Sequence, residues 1–452
     1  MLTLIYYQFR YTKKQWLGTI PVFLISSILV GTCLTIANNI SANPILFQDV
    51  GTPLPIFVGP IIFGGLTLLF LISSSIQLLL NYFKEDYQTW NKLGTNRNQL
   101  AFLVAGQITI ISFLVSLVGS FISIFVARYY YSLVQHLAGK AQLPSIPIVF
   151  DFKAFCLTIL LISILAFCGS FIHTRKLLNQ VIESEENGNL KRCKLSKVAK
   201  LGGATILFFL WGWLASAFFY PPTSLSGDDL IFKLDDNILV ILILHIIMIH
   251  FLSPELPEFI VKLLFRKTHS YSSTLAKWQV LENRSYLKSL SSSVMMGIVL
   301  ISGFLMYSAV SYGDLANQSQ QANETNAVLL LFVAGPILVI LANIITITIL
   351  SSFAEKRVVQ QWNVLGISKS QRYFVRLSEA GIYSLLIVII SSIFNSIYYV
   401  LSLQLAKVVS VKVTSSANAY LYTLLISILM FLFLVITKVS IDSNVDRNTK
   451  EV

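Results

Sequence analysis

Long uncharged runs separated by short polar segments dominate this chain. Ten stretches contain no Asp, Glu, Lys or Arg: roughly residues 16–37, 54–83, 98–127, 154–174, 201–220, 237–253, 289–311, 326–353, 380–403 and 417–437. Most exceed the ~20 apolar residues that a helix needs to cross a hydrocarbon core. The sixth is closed early by Pro254 and Pro257. The pattern predicts an all-α integral membrane protein of about ten transmembrane helices, within a range of about eight to eleven.

The polar segments set an orientation. With the N-terminus inside, the inner segments hold 27 of the 33 Lys and Arg residues, and the outer loops hold only Arg128, Lys140, Lys153, Lys233, Lys407 and Lys412. That bias predicts a multi-pass protein of the cytoplasmic membrane with both termini inside. Composition agrees: 55% of the 452 residues are hydrophobic and 12% charged, against about a quarter charged in soluble domains. The net charge of +12 reflects this topology facing anionic lipid and gives no case for nucleic acid. The first run follows Arg10, Lys13 and Lys14. At about 21 residues it is too long for the apolar core of a signal peptide, so it reads as a retained span. Cys33, Cys156 and Cys168 fall within spans and Cys193 inside, so neither a disulfide framework nor a Cys zinc site is expected.

These spans group into a first four-span block (1–174), a linker with two extra spans (175–288), a second four-span block (289–437) and a polar inner tail (438–452) expected to be disordered. Amphipathic segments precede the first span of each block. Leu2, Leu4, Ile5, Tyr6 and Phe9 lead into the first basic cluster, and Leu275, Trp278, Val280 and Leu281 mix with Lys277, Glu282 and Arg284 before the second. Both are expected to lie at the inner interface.

One phrase occurs in each block. Trp90-Asn91-Lys92-Leu93-Gly94-Thr95-Asn96-Arg97-Asn98-Gln99 returns as Trp362-Asn363-Val364-Leu365-Gly366-Ile367-Ser368-Lys369-Ser370-Gln371. Trp, Asn, Leu, Gly and Gln recur in register, and Lys369 answers Arg97. Leu-Gly before small polar residues reads as a helix ending at a Gly cap, then a turn into the next span. Short helices are expected over about 85–93 and 357–365, each carrying its Trp towards the lipid interface or towards a cytoplasmic partner.

Other polar groups are fewer. Glu379 lies within a turn of the inner interface, at helical spacing from Arg376 and Arg372, and an ion pair is the expectation. Asn343 and Asn395 lie deep in spans 8 and 9, where hydrogen bonding between helices or contact with substrate is expected. Asp228, Asp229, Asp235 and Asp236 form an acidic outer loop with no EF-hand spacing. His245 and His250 are five apart and belong to no metalloprotease motif. No G-x-x-x-x-G-K-[ST] occurs, so any ATP that drives the protein is bound by another chain.

The phrase and its place after the second span of a four-span block resemble FtsX/MacB-type ABC transporter permeases. In that family the element is the coupling helix that rests on the ATPase. The resemblance gives this role to Asp86, Trp90, Leu93, Gly94 and Arg97 in the first block and to Trp362, Leu365, Gly366 and Lys369 in the second. Val358 stands where the acid is usual, and Asn91 and Asn363 where a base is common. Glu379 matches a Glu frequent at the start of the third span, where the first block has Gln107. Two blocks around two extra spans are similar to the ten-span subgroup that includes bacitracin and lantibiotic resistance permeases. The large extracellular domain of those proteins is missing: loops 312–325 and 38–53 are short.

The resemblance implies a non-enzymatic permease subunit that binds no cofactor itself. ATP and Mg would belong to a separate cytoplasmic ATPase present in two copies. Its motion would be passed across the membrane to export or remove a hydrophobic antimicrobial peptide, a bacteriocin or a lipid. The alternatives are an ion-coupled secondary transporter and a non-transporting partner that signals or regulates a hydrolase.

Overall fold

The computed structural model describes residues 16, 18–47, 54–83, 89, 96–138, 143–185, 190–220, 228–253, 255–267, 270–311, 319–409 and 417–448. Among them the regular structure is helical, with no strand. In chain order the helices are α1 (Ile20–Ala42), α2 (Leu54–Tyr82), α3 (Arg97–Ala138), α4 (Phe152–Glu185), α5 (Leu190–Phe219) and α6 (Asp228–Leu252). There follow α7 (Leu256–Leu264), α8 (Tyr271–Glu282), α9 (Arg284–Ser311), α10 (Ser319–Val364), α11 (Lys369–Val409) and α12 (Ala417–Asn448).

Seven of these are long and apolar enough to cross a membrane, and α6 with α7 forms an eighth candidate bent by 65°. The other two expected spans fall in α2 and α10, whose described apolar cores are Phe70–Leu79 and Ile337–Ser352. The apolar windows are not all packed inward. Only 28% of the α4 window and 11% of the α5 window is buried. Leu160, Ile164, Phe208 and Phe209 point outward, as they must where the solvent is hydrocarbon. The protein is an all-α integral membrane protein.

Many serine and threonine hydroxyls along these helices return to carbonyls three or four residues back, as Ser120 does to Ser116 (2.7 Å), Thr158 to Ala154 (2.7 Å) and Ser170 to Ala166 (2.6 Å). These three hydroxyls are thereby satisfied within their own helices.

The chain forms two compact units, Met1–Val198 with Ser311–Thr346 and Ala199–Val310 with Ile347–Val452. In the first, α1, α3 and α4 pack mutually and α2 packs on α1 and α4. Two Gly–Ser pairs bring α1 and α3 together. A Cβ on Gly119 would lie 1.8 Å from Ser27 Oγ, and one on Gly31 would lie 2.5 Å from Ser123 Oγ. Each helix thus places a serine over the other's glycine, the small-residue contact that lets membrane helices approach closely. At the far end of α3, residues 143–151 are strapped over a core of Ile36, Ile40, Phe47, Phe57, Tyr131 and Val134. Asn39 holds the Val149 backbone through both N–H and C=O, and Asn38 donates to Asp151 (2.6 Å).

In the second unit α11 is the hub, packed against α6, α7, α8 and α12. The tail expected to be disordered is helical as far as Asn448. Its Lys438 is buried and its Asp442 pairs with a buried arginine, which holds the last turns in place. The acidic segment expected as an outer loop is also helical from Asp228 onward. The amphipathic segment before the first span, residues 2–9, lies outside the described residues.

Candidate functional site: the repeated turn and a buried charge cluster

The second copy of the phrase is the turn between α10 and α11. From Ile337 to Val364 there is neither Gly nor Pro, so the expected short helix is instead the last part of one continuous helix. It ends in a Schellman motif. Gly366 takes φ 72°; its N–H donates to Asn363 C=O (3.2 Å) and the Ile367 N–H donates to Trp362 C=O (3.1 Å). A capping box opens α11 two residues later. The Ser368 N–H donates to Gln371 Oε1 (3.1 Å), and the Gln371 N–H donates to Ser368 Oγ (3.3 Å). In this copy the Gly and Gln of the phrase are therefore a helix stop and a helix start.

The first copy also opens a helix beneath a side-chain cap, a simpler one. Arg97 begins α3, and Asn96 Oδ1 accepts from the Asn98 N–H (3.3 Å); Gln99 stands where Gln371 stands in the second copy. Asp86, Trp90, Leu93 and Gly94 lie outside the described residues, as does the side chain of Arg97.

Around the second turn the exposed and buried residues separate sharply. Val364 is 88% exposed, Leu365 74%, and Lys369 is exposed, whereas Trp362 is only 6% exposed. Trp362 turns inward, with Arg376 Cζ 4.9 Å from its ring centre. Behind it lies a buried cluster of two cations and three acids. Arg376 contacts Asp442 through two nitrogens (2.9 and 3.2 Å), Glu379 (3.2 Å) and Glu355 (3.6 Å). Lys438 reaches Glu355 (3.1 Å) and Glu379. Its ammonium also lies over the rings of Tyr286 (5.2 Å) and Tyr383 (5.5 Å). Ionised groups this far from water persist only when paired in this way.

The cluster joins α9, α10, α11 and α12 close to the turn. Glu379 and Arg376 meet as their spacing implied. Glu355, Lys438 and Asp442 went unnoticed because each is among the first charged residues beyond an uncharged run; such residues read as span ends. The signal available was the Lys438–Asp442 spacing, an i,i+4 pair of opposite charge at a helix end.

Counted from the phrase, Glu355, Arg372, Arg376 and Glu379 correspond in the first block to Phe83, Leu100, Val104 and Gln107. All eight are buried. The first block keeps the burial and drops the charge, and there Phe83 stacks on Trp16 with ring centres 6.1 Å apart.

The deep asparagines bridge helices. Asn343 accepts from Ser75 (2.6 Å), joining α10 to α2. Asn395 accepts from Ser302 (2.6 Å) and donates to Thr423 (3.0 Å), joining α11 to α9 and α12. His245 is buried, accepts from Trp211 Nε1 (3.1 Å) and packs against Phe394 and Tyr398.

No curated protein and no solved structure matches the chain. A family model does: residues 84–182, which contain the first copy of the phrase and the two helices after it, match the FtsX-like permease C-terminal family. Over that segment the chain is similar to FtsX-like permeases.

Proposed function

We propose that this chain is the membrane subunit of an ATP-driven ABC transporter, with ten spans and both termini in the cytoplasm. The two phrase turns then face the cytoplasm and dock one copy each of a separate ATPase, which binds ATP and Mg. The observation that carries the reading is the second turn: a helix end fixed by a Schellman motif and a capping box holds two bare apolar side chains, Val364 and Leu365, outward. Exposed aliphatic residues on a rigid helix end suit a pocket on a soluble partner. Lys369 would add charge at the rim, and Asp86, Trp90, Leu93, Gly94 and Arg97 would form the matching turn of the first block.

Trp362 acts one layer further in. It backs the docking residues and rests on Arg376, so a push on the turn reaches α9, α11 and α12 through the charge cluster as one body. The load is a hydrophobic or antimicrobial peptide, or a lipid, taken from the outer leaflet. The cluster sits in the first turns of α11 and the last turns of α12, beside the turn rather than halfway along the helices, which favours mechanical coupling over an ion path.

The test is co-purification with a co-expressed cytoplasmic ABC ATPase of the same organism, comparing wild type, Leu365→Asp and Val364→Asp plus Leu365→Asp. Two ATPase copies per permease are expected, with retention lost in the double variant while insertion and thermal stability stay unchanged. Equal retention by the double variant would remove the turn from the contact.

A further inference from the structure

A second surface stands apart from the turn. After α6 the chain bends by 65° between Leu252 and Leu256 and runs through α7 and α8, which pack on each other and on α11. Ser253 Oγ caps the break by donating to His250 C=O (3.0 Å), and Pro257 sits at the start of α7. Ile260 and Val261 face the protein and are buried. Phe259 and Leu263, one turn apart, are 62% and 60% exposed. Leu264 beside them and Trp278 on α8 are exposed too. Short α7 is therefore apolar on two adjoining faces, of which only one is covered.

Basic side chains border the bare face. Lys262 and Arg284 are engaged by Glu258 (2.6 and 3.1 Å). Among the described residues no carboxylate pairs with Arg266 or Lys267, which are exposed at the end of α7. Lys277 lies over the Trp278 ring at 5.5 Å. A half-covered apolar helix edged by unpaired cations, after a span that bends sharply, fits the boundary between acyl chains and headgroups.

We propose that the α7–α8 elbow binds the headgroup of an anionic phospholipid, with Phe259, Leu263 and Trp278 in the acyl region and Arg266 and Lys267 on the phosphate. The charge complementarity selects the occupant, since each Lys or Arg near a membrane surface favours anionic lipid about fivefold. The inner leaflet follows from the orientation proposed above. The elbow's lipid preference depends neither on that orientation nor on an ATPase.

The full chain in nanodiscs, open to lipid on both faces, provides the test. Trp278 emission is isolated as the difference between wild type and Trp278→Phe, and quenched with brominated phosphatidylglycerol or brominated phosphatidylcholine at equal share. Quenching by the anionic lipid should exceed that by the zwitterionic one by up to about twenty-five-fold in apparent affinity, and Arg266→Gln plus Lys267→Gln should erase the difference. Phe259→Gln plus Leu263→Gln should weaken quenching by both. Equal quenching of wild type by the two lipids would overturn the headgroup site, and absence of quenching by either would take the elbow out of the bilayer. ATPase retention by the permease, measured separately, reports on the transport reading alone.

Discussion

The guanidinium carbon of Arg376 lies 4.9 Å from the centre of the Trp362 ring, so the conspicuous aromatic of the repeated phrase rests on the central cation of a buried ion cluster. Replacing Trp362 with Ala removes both this contact and a large buried surface. A loss of about 3–5 kcal/mol is expected from the packing and about 1 kcal/mol from the cation–π contact. Trp362→Phe should keep more than half. Thermal unfolding in detergent and amide exchange of residues 362–368 would measure both.

Arg376 meets three carboxylates, so Arg376→Met strands acids out of water and should destabilise the second unit by about 3–5 kcal/mol. Asp442→Asn alone should cost less, because Glu379 and Glu355 remain. A double-mutant cycle on Arg376 and Asp442 should give a coupling energy of at least ~1 kcal/mol; additivity would mean that the two-nitrogen contact does not form.

Gly366 holds a left-handed conformation at φ 72° with open space around its Cα. Gly366→Ala therefore costs backbone strain only, about 1–2 kcal/mol, and Gly366→Asn less. Ser368→Ala removes one side of the capping box and should cost about 1 kcal/mol. Either change should raise amide exchange at Ile367 and Gln371 while leaving the far end of α11 unaltered.

In the first unit, Gly119→Ala drives a methyl into Ser27 and should cost about 1–3 kcal/mol. Ser27→Gly in the same chain should recover most of the loss. Without that recovery, the close approach of α1 and α3 is not set by this pair.

These changes also show what the linear pattern could convey. Uncharged runs located every helix long enough to span, because hydrocarbon tolerates few alternatives, and the Leu-Gly step marked the end of α10, because only glycine enters the left-handed region without cost. The repeated Gln was legible as part of a motif but not as a cap, since its role needs Ser368 folded back onto it. The cluster was legible only at Glu379 and Arg376. Glu355, Lys438 and Asp442 come from distant parts of the chain, and periodicity carries no information on which helix ends meet. Trp362 was read as facing outward to lipid or partner; its burial follows from Arg376, about two turns into the next helix.

If the two copies of the phrase share an origin, the charged cluster limits how their surroundings could have drifted apart. Phe83, Leu100, Val104 and Gln107 occupy buried positions that in the other half hold Glu355, Arg372, Arg376 and Glu379. A lineage moving between these states one residue at a time passes through chains with an unmatched buried charge, each weakened by about 3–5 kcal/mol, comparable with the whole stability margin of a domain. The passable route runs through neutral hydrogen-bonding residues, and Gln107 is a residue of that kind. The two halves are consequently not interchangeable parts: a chain assembled from two first halves would inherit the turn without the ionic brace behind it.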